Sequence, residues 1–234
     1  RNEDSFLVVE SEDLFVIADG MGGHSGGQLA SQTAVKTMGA AYAKQSFDGA
    51  PHEGVPVDAT NLARSIQMAN AAILELARLK PELEGMGTTI CSARFSANKK
   101  RMYIGHVGDS RCYRLRGEVF KQLTDDHTMA DLGVKGAAGL QLSRAVGVWS
   151  TVPIDIVTVA PAVGDVYLLC SDGLTKMLSD DDIGEVLRTE EDTKAAVERL
   201  VSLANARGGK DNVTVILVRV SPMTPGVVAA APSV

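Results

Sequence analysis

The chain has 234 residues, with 23 Lys and Arg against 29 Asp and Glu for a net charge of −6, and 45% of its residues are apolar. A chain of this length buries roughly 70% of its unfolded surface without a disulfide scaffold, and its acidic balance excludes a protein that grips nucleic acid through a broad basic face. The apolar fraction excludes a wholly disordered chain, and no apolar run approaches the ~20 residues of a membrane-spanning helix.

In chain order, short β-branched runs at Ser5–Val9 and Leu14–Ala18 are predicted to pair as a hairpin. A helix follows over Gln28–Lys44, then a Gly- and Pro-marked surface loop over Phe47–Val57. Ala59–Leu79 is a second helix, with Leu62, Ile66, Ile73, Leu76 and Leu79 near one face. Strands are predicted at Thr88–Phe95, Met102–Val107, Cys112–Leu115 and Val119–Leu123, the last two turning at Gly117, and then at Ile154–Val159 and Val166–Cys170. Ser179 caps a short helix, with Asp180 to Asp182 placed favourably at its positive end. Asp192–Ala206 is a further helix, stopped by Gly208-Gly209, and Val213–Val220 is the last strand. Strands in runs with helices grouped between them predict an α+β fold in which helices cover sheets. One domain is expected over residues 1–220, and the uncharged Pro/Ala-rich 221–234 stretch reads as a linker or tail. Cys91, Cys112 and Cys170, each in or beside an apolar run, read as reduced core thiols of a cytoplasmic protein.

The chemically informative pattern is acidic residues at strand ends. Leu14–Ala18 runs into Asp19-Gly20, Met102–Val107 into Gly108-Asp109-Ser110, and Val166–Cys170 into Ser171-Asp172-Gly173. Asp211-Asn212 precedes the last strand, and Glu3-Asp4 the first. Any one Asp-Gly after a strand is most simply a turn. The set has a second reading, because acids at several strand ends can converge, and clustered carboxylates repel unless a cation sits among them. Oxygen ligands suit Mg²⁺ or Mn²⁺, and a carboxylate bridging two ions ~3.5–4 Å apart is the core of a two-metal hydrolase. No Cys or His pair has zinc spacing. The Gly20–Gly27 stretch lacks the Lys-Ser/Thr of a P-loop, and no Gly-x-Ser-x-Gly elbow occurs. His24, beside Asp19 in the Gly-rich stretch, is a candidate for proton transfer or an ordinary loop side chain. His106 reads as structural, and His127 either caps a turn or sits near the acids.

Asn2-Glu-Asp4, Ala18-Asp-Gly-Met-Gly-Gly-His24, Gly87-Thr-Thr89, Val107-Gly-Asp-Ser-Arg111, Cys170-Ser-Asp-Gly-Leu174 and Gly208-Gly-Lys-Asp-Asn-Val213 occur in this order. Together they resemble the metal-dependent protein phosphatases, the type 2C Ser/Thr family, in its bacterial form, to about Val220. The resemblance implies a four-layer α-β-β-α fold, a sandwich of two antiparallel sheets flanked by helices, with Mg²⁺ or Mn²⁺ at one end. By motif, Asp19 would bridge two core ions and the Gly20 carbonyl would hold one of them. Asp172 and Asp211 would hold the first ion and Glu3 would serve the second. Asp4 would bond metal-bound water, and Asp109 with Asp172 would form a weaker third site. Asp4, Asp19 and His24 are then the catalytic candidates. The implied reaction is attack of a metal-bridging hydroxide on the phosphorus of phosphoserine or phosphothreonine, without a covalent enzyme intermediate. Implied partners are phosphorylated Ser/Thr proteins, a kinase among them, for a cytoplasmic monomer with no nucleic-acid partner and no membrane segment.

Two departures from the family pattern stand out. Members usually carry a strand and a phosphate-contacting Arg ahead of the first motif's Asn, whereas this sequence opens at Arg1-Asn2, which reads as truncation. The flap expected between His127 and Arg144 is short, offering only Met129 to Leu140. These departures keep open an alternative, a catalytically weak phosphatase-like binding or regulatory module.

Overall fold

The computed structural model describes residues 2–22, 25–50 and 53–222, and the backbone of 225–232. In order, the elements are β1 (Asp4–Val9), β2 (Leu14–Met21), α1 (Gly26–Lys44), α2 (Val57–Leu79), β3 (Gly87–Thr88), β4 (Ile90–Phe95), β5 (Met102–Val107), β6 (Arg111–Arg116) and β7 (Val119–Gln122). There follow β8 (Asp155–Val159), β9 (Val166–Cys170), α3 (Asp172–Thr175), α4 (Asp180–Thr189), α5 (Thr193–Ala206), β10 (Thr214–Val220) and β11 (Pro225–Pro232). Among the described residues no helix is long and apolar enough to cross a membrane.

Two antiparallel sheets result. One has the order β1-β2-β4-β5-β8, with β3 beside the end of β2, and the other has the order β11-β10-β9-β6-β7. Three apolar layers hold them. Phe15, Ile17 and Ile104 of the first sheet meet Tyr167, Leu169 and Ile216 of the second in the sandwich interior. Leu62, Ile66 and Ile73 of α2, with Ala30, Ala34 and Met38 of α1, cover the outer face of the first sheet. Ile183 and Leu187 of α4 and Ala196 and Leu200 of α5 cover the second. The four layers are those the resemblance implied, and both sheets present alternate side chains to two buried faces.

Local chemistry explains the boundaries. Ser179 accepts from the Asp182 N–H and Asp182 accepts from the Ser179 N–H, the reciprocal cap expected at α4. Gly117 turns β6 into β7 with φ of 55°. Two strands differ from expectation. β2 runs past Ala18 to Met21, because Gly20 and Met21 find partners in Thr88 and Gly87. The strand expected over Thr88–Phe95 is broken at Thr89, where the side-chain hydroxyl, rather than the carbonyl, accepts from the Asp19 N–H at 3.1 Å. The 221–234 stretch, expected as a linker or tail, carries β11 paired with β10 at the sheet edge. Pro225 and Pro232 stand at its two ends, where a missing donor is tolerated.

Gly105 of β5 lets α2 close on the first sheet. A Cβ there would stand 2.8 Å from Ile66 Cδ1 and 2.9 Å from Ser92 Oγ. Gly105→Ala is expected to cost about 1–3 kcal/mol as overpacking. Thermal denaturation should register a fall in Tm of about 2–4 °C per kcal/mol.

Candidate active site

The β1-β2 register pairs Asp4 with Asp19, so two carboxylates are cross-strand neighbours. Like charges so placed are destabilising, and the surroundings are built to hold them. Thr89 N–H donates to the Asp19 carbonyl at 2.8 Å, and Thr88 Oγ1 donates to the same oxygen at 2.9 Å. Asp4 N–H donates to Asn2 Oδ1, and Ser171 Oγ donates to Asp4 Oδ2 at 2.8 Å. That last bond crosses from one sheet to the other. So does the Glu3 N–H to Asn212 Oδ1 bond, at 2.8 Å.

Two glycines permit the close approach. A Cβ on Gly20 would lie 2.0 Å from the Gly27 carbonyl oxygen at the start of α1, and one on Gly173 would lie 1.9 Å from the Asn212 carbonyl oxygen. The first keeps α1 against β2 beside the Glu3 carboxylate, and the second seats Asp172, at the head of α3, against the loop carrying Asp211. Gly108-Asp109-Ser110 links β5 of one sheet to β6 of the other, so Asp109 stands on the crossover rather than in a hairpin.

The outcome is a cavity of about 620 Å³ lined by Glu3, Asp19, Gly20, Asp109, Asp172 and Asp211, among others. Asp4 sits beside it through its pairing with Asp19. Burial is the main cause that holds the Asp19 carboxyl far above the usual carboxylate range, reinforced by the charges of Asp4, Asp172, Asp109 and Asp211. Burial likewise raises Asp4, although the neighbouring Thr214 and the hydrogen bond from Ser171 oppose it. It raises Asp172 against the opposing ammonium of Lys176. Asp109 is pushed up to about 7, by burial first and then by Asp172 and Asp126.

The acids at the strand ends therefore converge, and the reading of each as an isolated turn residue does not describe them. His24 lies outside the described residues. Asp180 and Asp182 serve α4, Asp180 accepting from the Tyr113 hydroxyl and Asp182 pairing with Arg207. Cys170 is fully buried, as expected of a core thiol.

Reading the sequence places Ser171 and Thr89 within its motifs and His127 at a turn or near the acids, but gives the two hydroxyls and Lys176 no role. Ser171 and Thr89 act by bonding Asp4 and the Asp19 backbone. Lys176 places Nζ 2.6 Å from Asp172 Oδ2 and 2.8 Å from Asp211 Oδ2. His127 clamps the crossover, accepting from the Gly108 N–H at Nδ1 and donating its own N–H to the Gly108 carbonyl. That leaves Nε2–H to donate to Asp155 Oδ2 at 3.0 Å, and Arg144 donates to the other Asp155 oxygen at 2.8 Å. The short flap closes on the same histidine, with Ser143 N–H donating to the His127 carbonyl. It brings Leu140 and Leu142 to the cavity wall.

The residues fit divalent cations on their own chemistry. Asp4 Oδ1 and Asp172 Oδ1 are buried oxygens with no hydrogen-bond partner among the described residues, and the donor set is carboxylate and carbonyl oxygen. As they stand, no three acidic, histidine or cysteine side chains among the described residues are grouped as ligands of one ion. A raised carboxyl favours folding while it is protonated and loses that contribution as pH rises through its folded value. In chelator, Asp109→Asn is therefore expected to melt above the unsubstituted protein at pH above about 7, by about 2–4 °C per kcal/mol. The gap should close toward pH ~4, where both side chains are neutral, and differential scanning calorimetry across pH checks it.

Comparison with known proteins agrees with this geometry. The family model described as protein phosphatase 2C matches residues 1–217. The chain is 35% identical to the serine/threonine phosphatase stp of Listeria innocua, over 97% of this chain and 93% of that protein. It superposes on the crystal structure of the Mycobacterium tuberculosis serine/threonine phosphatase PstP/Ppp with a TM-score of 0.80 and 34% identity, over 94% of this chain and 93% of the other. It also matches the catalytic domain of PstP in complex with two manganese ions, with a TM-score of 0.76 and 36% identity, over 93% of this chain and 90% of that one. Motif order, sandwich and acidic pocket thus have one common explanation: the chain belongs to the protein phosphatase 2C family and is a bacterial-type, metal-dependent serine/threonine phosphatase whose substrates are phosphoproteins.

Proposed function

We propose that this chain hydrolyses phosphoserine and phosphothreonine in proteins by direct displacement at the acidic pocket, with residues 1–220 as the catalytic unit. In this reading Asp19 and the Gly20 carbonyl serve two core ions, Mg²⁺ or Mn²⁺, with Asp172 and Asp211 at the first and Glu3 at the second. Asp109 and Asp172 serve a weaker third. Convergence of five acidic side chains from separate chain segments on one cavity is the observation that carries it. When bound, divalent ions lower the pKa of water and offset charge on the transferring phosphoryl group.

The chain's own residues do the rest. Asp4, anchored by Ser171, accepts a hydrogen bond from the attacking water and orients it. The water oxygen forms the new bond to phosphorus as it releases one proton to solvent, the bond to the serine or threonine oxygen breaks, and that oxygen takes up a proton. His24 is the proposed proton donor. Leu140 and Leu142 give the mouth an apolar side against which the substrate chain rests. The intact acid set favours turnover over a phosphatase-like binding module, because carboxylates with no catalytic use would be held together only at a loss of stability. The same reading counts a protein kinase among the substrates and takes the enzyme as a monomer in the cytoplasm, the compartment being the one that three buried free thiols suit.

Turnover of p-nitrophenyl phosphate and of a phosphothreonine peptide in Mn²⁺ tests the assignment. Asp172→Ala is expected to lose at least about 100-fold in kcat, more than loss of an outer-shell partner brings. Asp180→Ala, which removes a charge from the first turn of α4 and the acceptor of the Tyr113 hydroxyl, should keep near-normal kcat with a lower Tm. Equal losses at both positions would remove the assignment.

A further inference from the structure

Lys176 closes the short α3 turn, and its ammonium stands between carboxylates from two different segments. Asp172, four residues earlier, lies 2.6 Å away, and Asp211, from the loop before β10, lies 2.8 Å away. The Asp172 side chain is 16% exposed and the Lys176 side chain 48% exposed, so the charge is held at the cavity wall while the stem retains open solvent beside it. Asp172 heads α3 and Asp211 lies in the loop before β10, and the two segments touch through the Gly173–Asn212 contact. Without a cation between them their carboxylates would repel across that contact.

We infer that Lys176 is a tethered internal cation that occupies the first metal position, holds Asp172 and Asp211 together in the metal-free protein, and must swing out before a divalent ion takes both carboxylates. This inference rests on the metal assignment proposed above. An ammonium in contact with both carboxylates and an ion bound by the same two would stand within a few ångströms of each other, where like charges repel strongly. Lysine suits the role, since its charge is compact and its four-carbon stem is flexible. Lys176 thereby lowers divalent-ion affinity while relieving the repulsion that the metal-free pocket would otherwise carry. It is a positioning residue that tunes metal occupancy.

The experiment titrates Mn²⁺ calorimetrically into chelator-stripped full chain, Lys176→Gln and Lys176→Arg, and measures Tm in chelator and in saturating Mn²⁺. Lys176→Gln should bind Mn²⁺ about tenfold more tightly, a factor equivalent to ~1.4 kcal/mol. It should melt below the unsubstituted chain in chelator and level with it in Mn²⁺. Lys176→Arg, which keeps the charge, should restore the unsubstituted behaviour. In the unsubstituted chain, acetic anhydride labelling of Lys176, read by mass spectrometry, should rise several-fold when Mn²⁺ is added, a readout independent of any variant's folding. Unchanged or weaker Mn²⁺ binding by Lys176→Gln, or Lys176 labelling indifferent to Mn²⁺, overturns the inference while leaving the metal assignment standing. Failure of the unsubstituted chain to take up Mn²⁺ at all overturns both.

Discussion

Negative charge is concentrated where the fold can least solvate it. Asp4 faces Asp19 across a strand pair, and Asp172, Asp211 and Asp109 stand around the same cavity. Burial and mutual repulsion push the Asp4, Asp19, Asp109 and Asp172 carboxyls toward their neutral forms. Folding alone therefore does not favour the arrangement. It persists because the three apolar layers of the sandwich fix the strand ends on which the acids stand, and because cations compensate the charge.

The acids belong to both sheets, so the site exists only where the sheets meet. Asp4 and Asp19 come from the first sheet's leading strands with Glu3 just ahead of them, Asp172 and Asp211 from the head of α3 and the loop before β10 on the second sheet's side, and Asp109 from the connection between the two. Bonds across the seam, Ser171 to Asp4 and Glu3 to Asn212, make the two halves register with each other. A sliding of one sheet past the other would therefore break the constellation before it exposed the core. Within each half, Gly20 and Gly173 admit backbone where any side chain would collide, the first between β2 and α1 and the second between α3 and the Asp211 loop.

His127 extends the same logic to the flap. By holding both backbone polar groups of Gly108 and, through Asp155, meeting Arg144, it ties the Asp109 crossover to the two ends of the flap. Its neighbour His106 packs against it at 4.6 Å between ring centroids and is kept neutral down to a pKa of about 4, by burial first and then by His127.

Much of this was legible in the linear chain. Short β-branched apolar runs and helical spacing located most strands and helices, because strands buried on both faces read as continuous apolar runs and a helix repeats its core-facing positions with its own period. The Ser179 cap was readable because capping chemistry is local. The acidic motifs and their order named the family because each stands on the strand end that carries it. Other features were decided only by tertiary structure. Residues 225–232 form a strand because β10 offers an edge, and a bland Ala/Val composition does not announce pairing with a distant partner. Thr89 departs from the regular ladder because its hydroxyl reaches Asp19, seventy positions away. Lys176 carries no signal of a role in the linear chain, and becomes a cation between two acids only when Asp211 is brought to it from the far side of α5. The sequence by itself determined which chemical groups are present and on which element each sits. Which of them share a cavity, and which charge faces which, depends on contacts between distant segments, and those come into being only when the sheets pack.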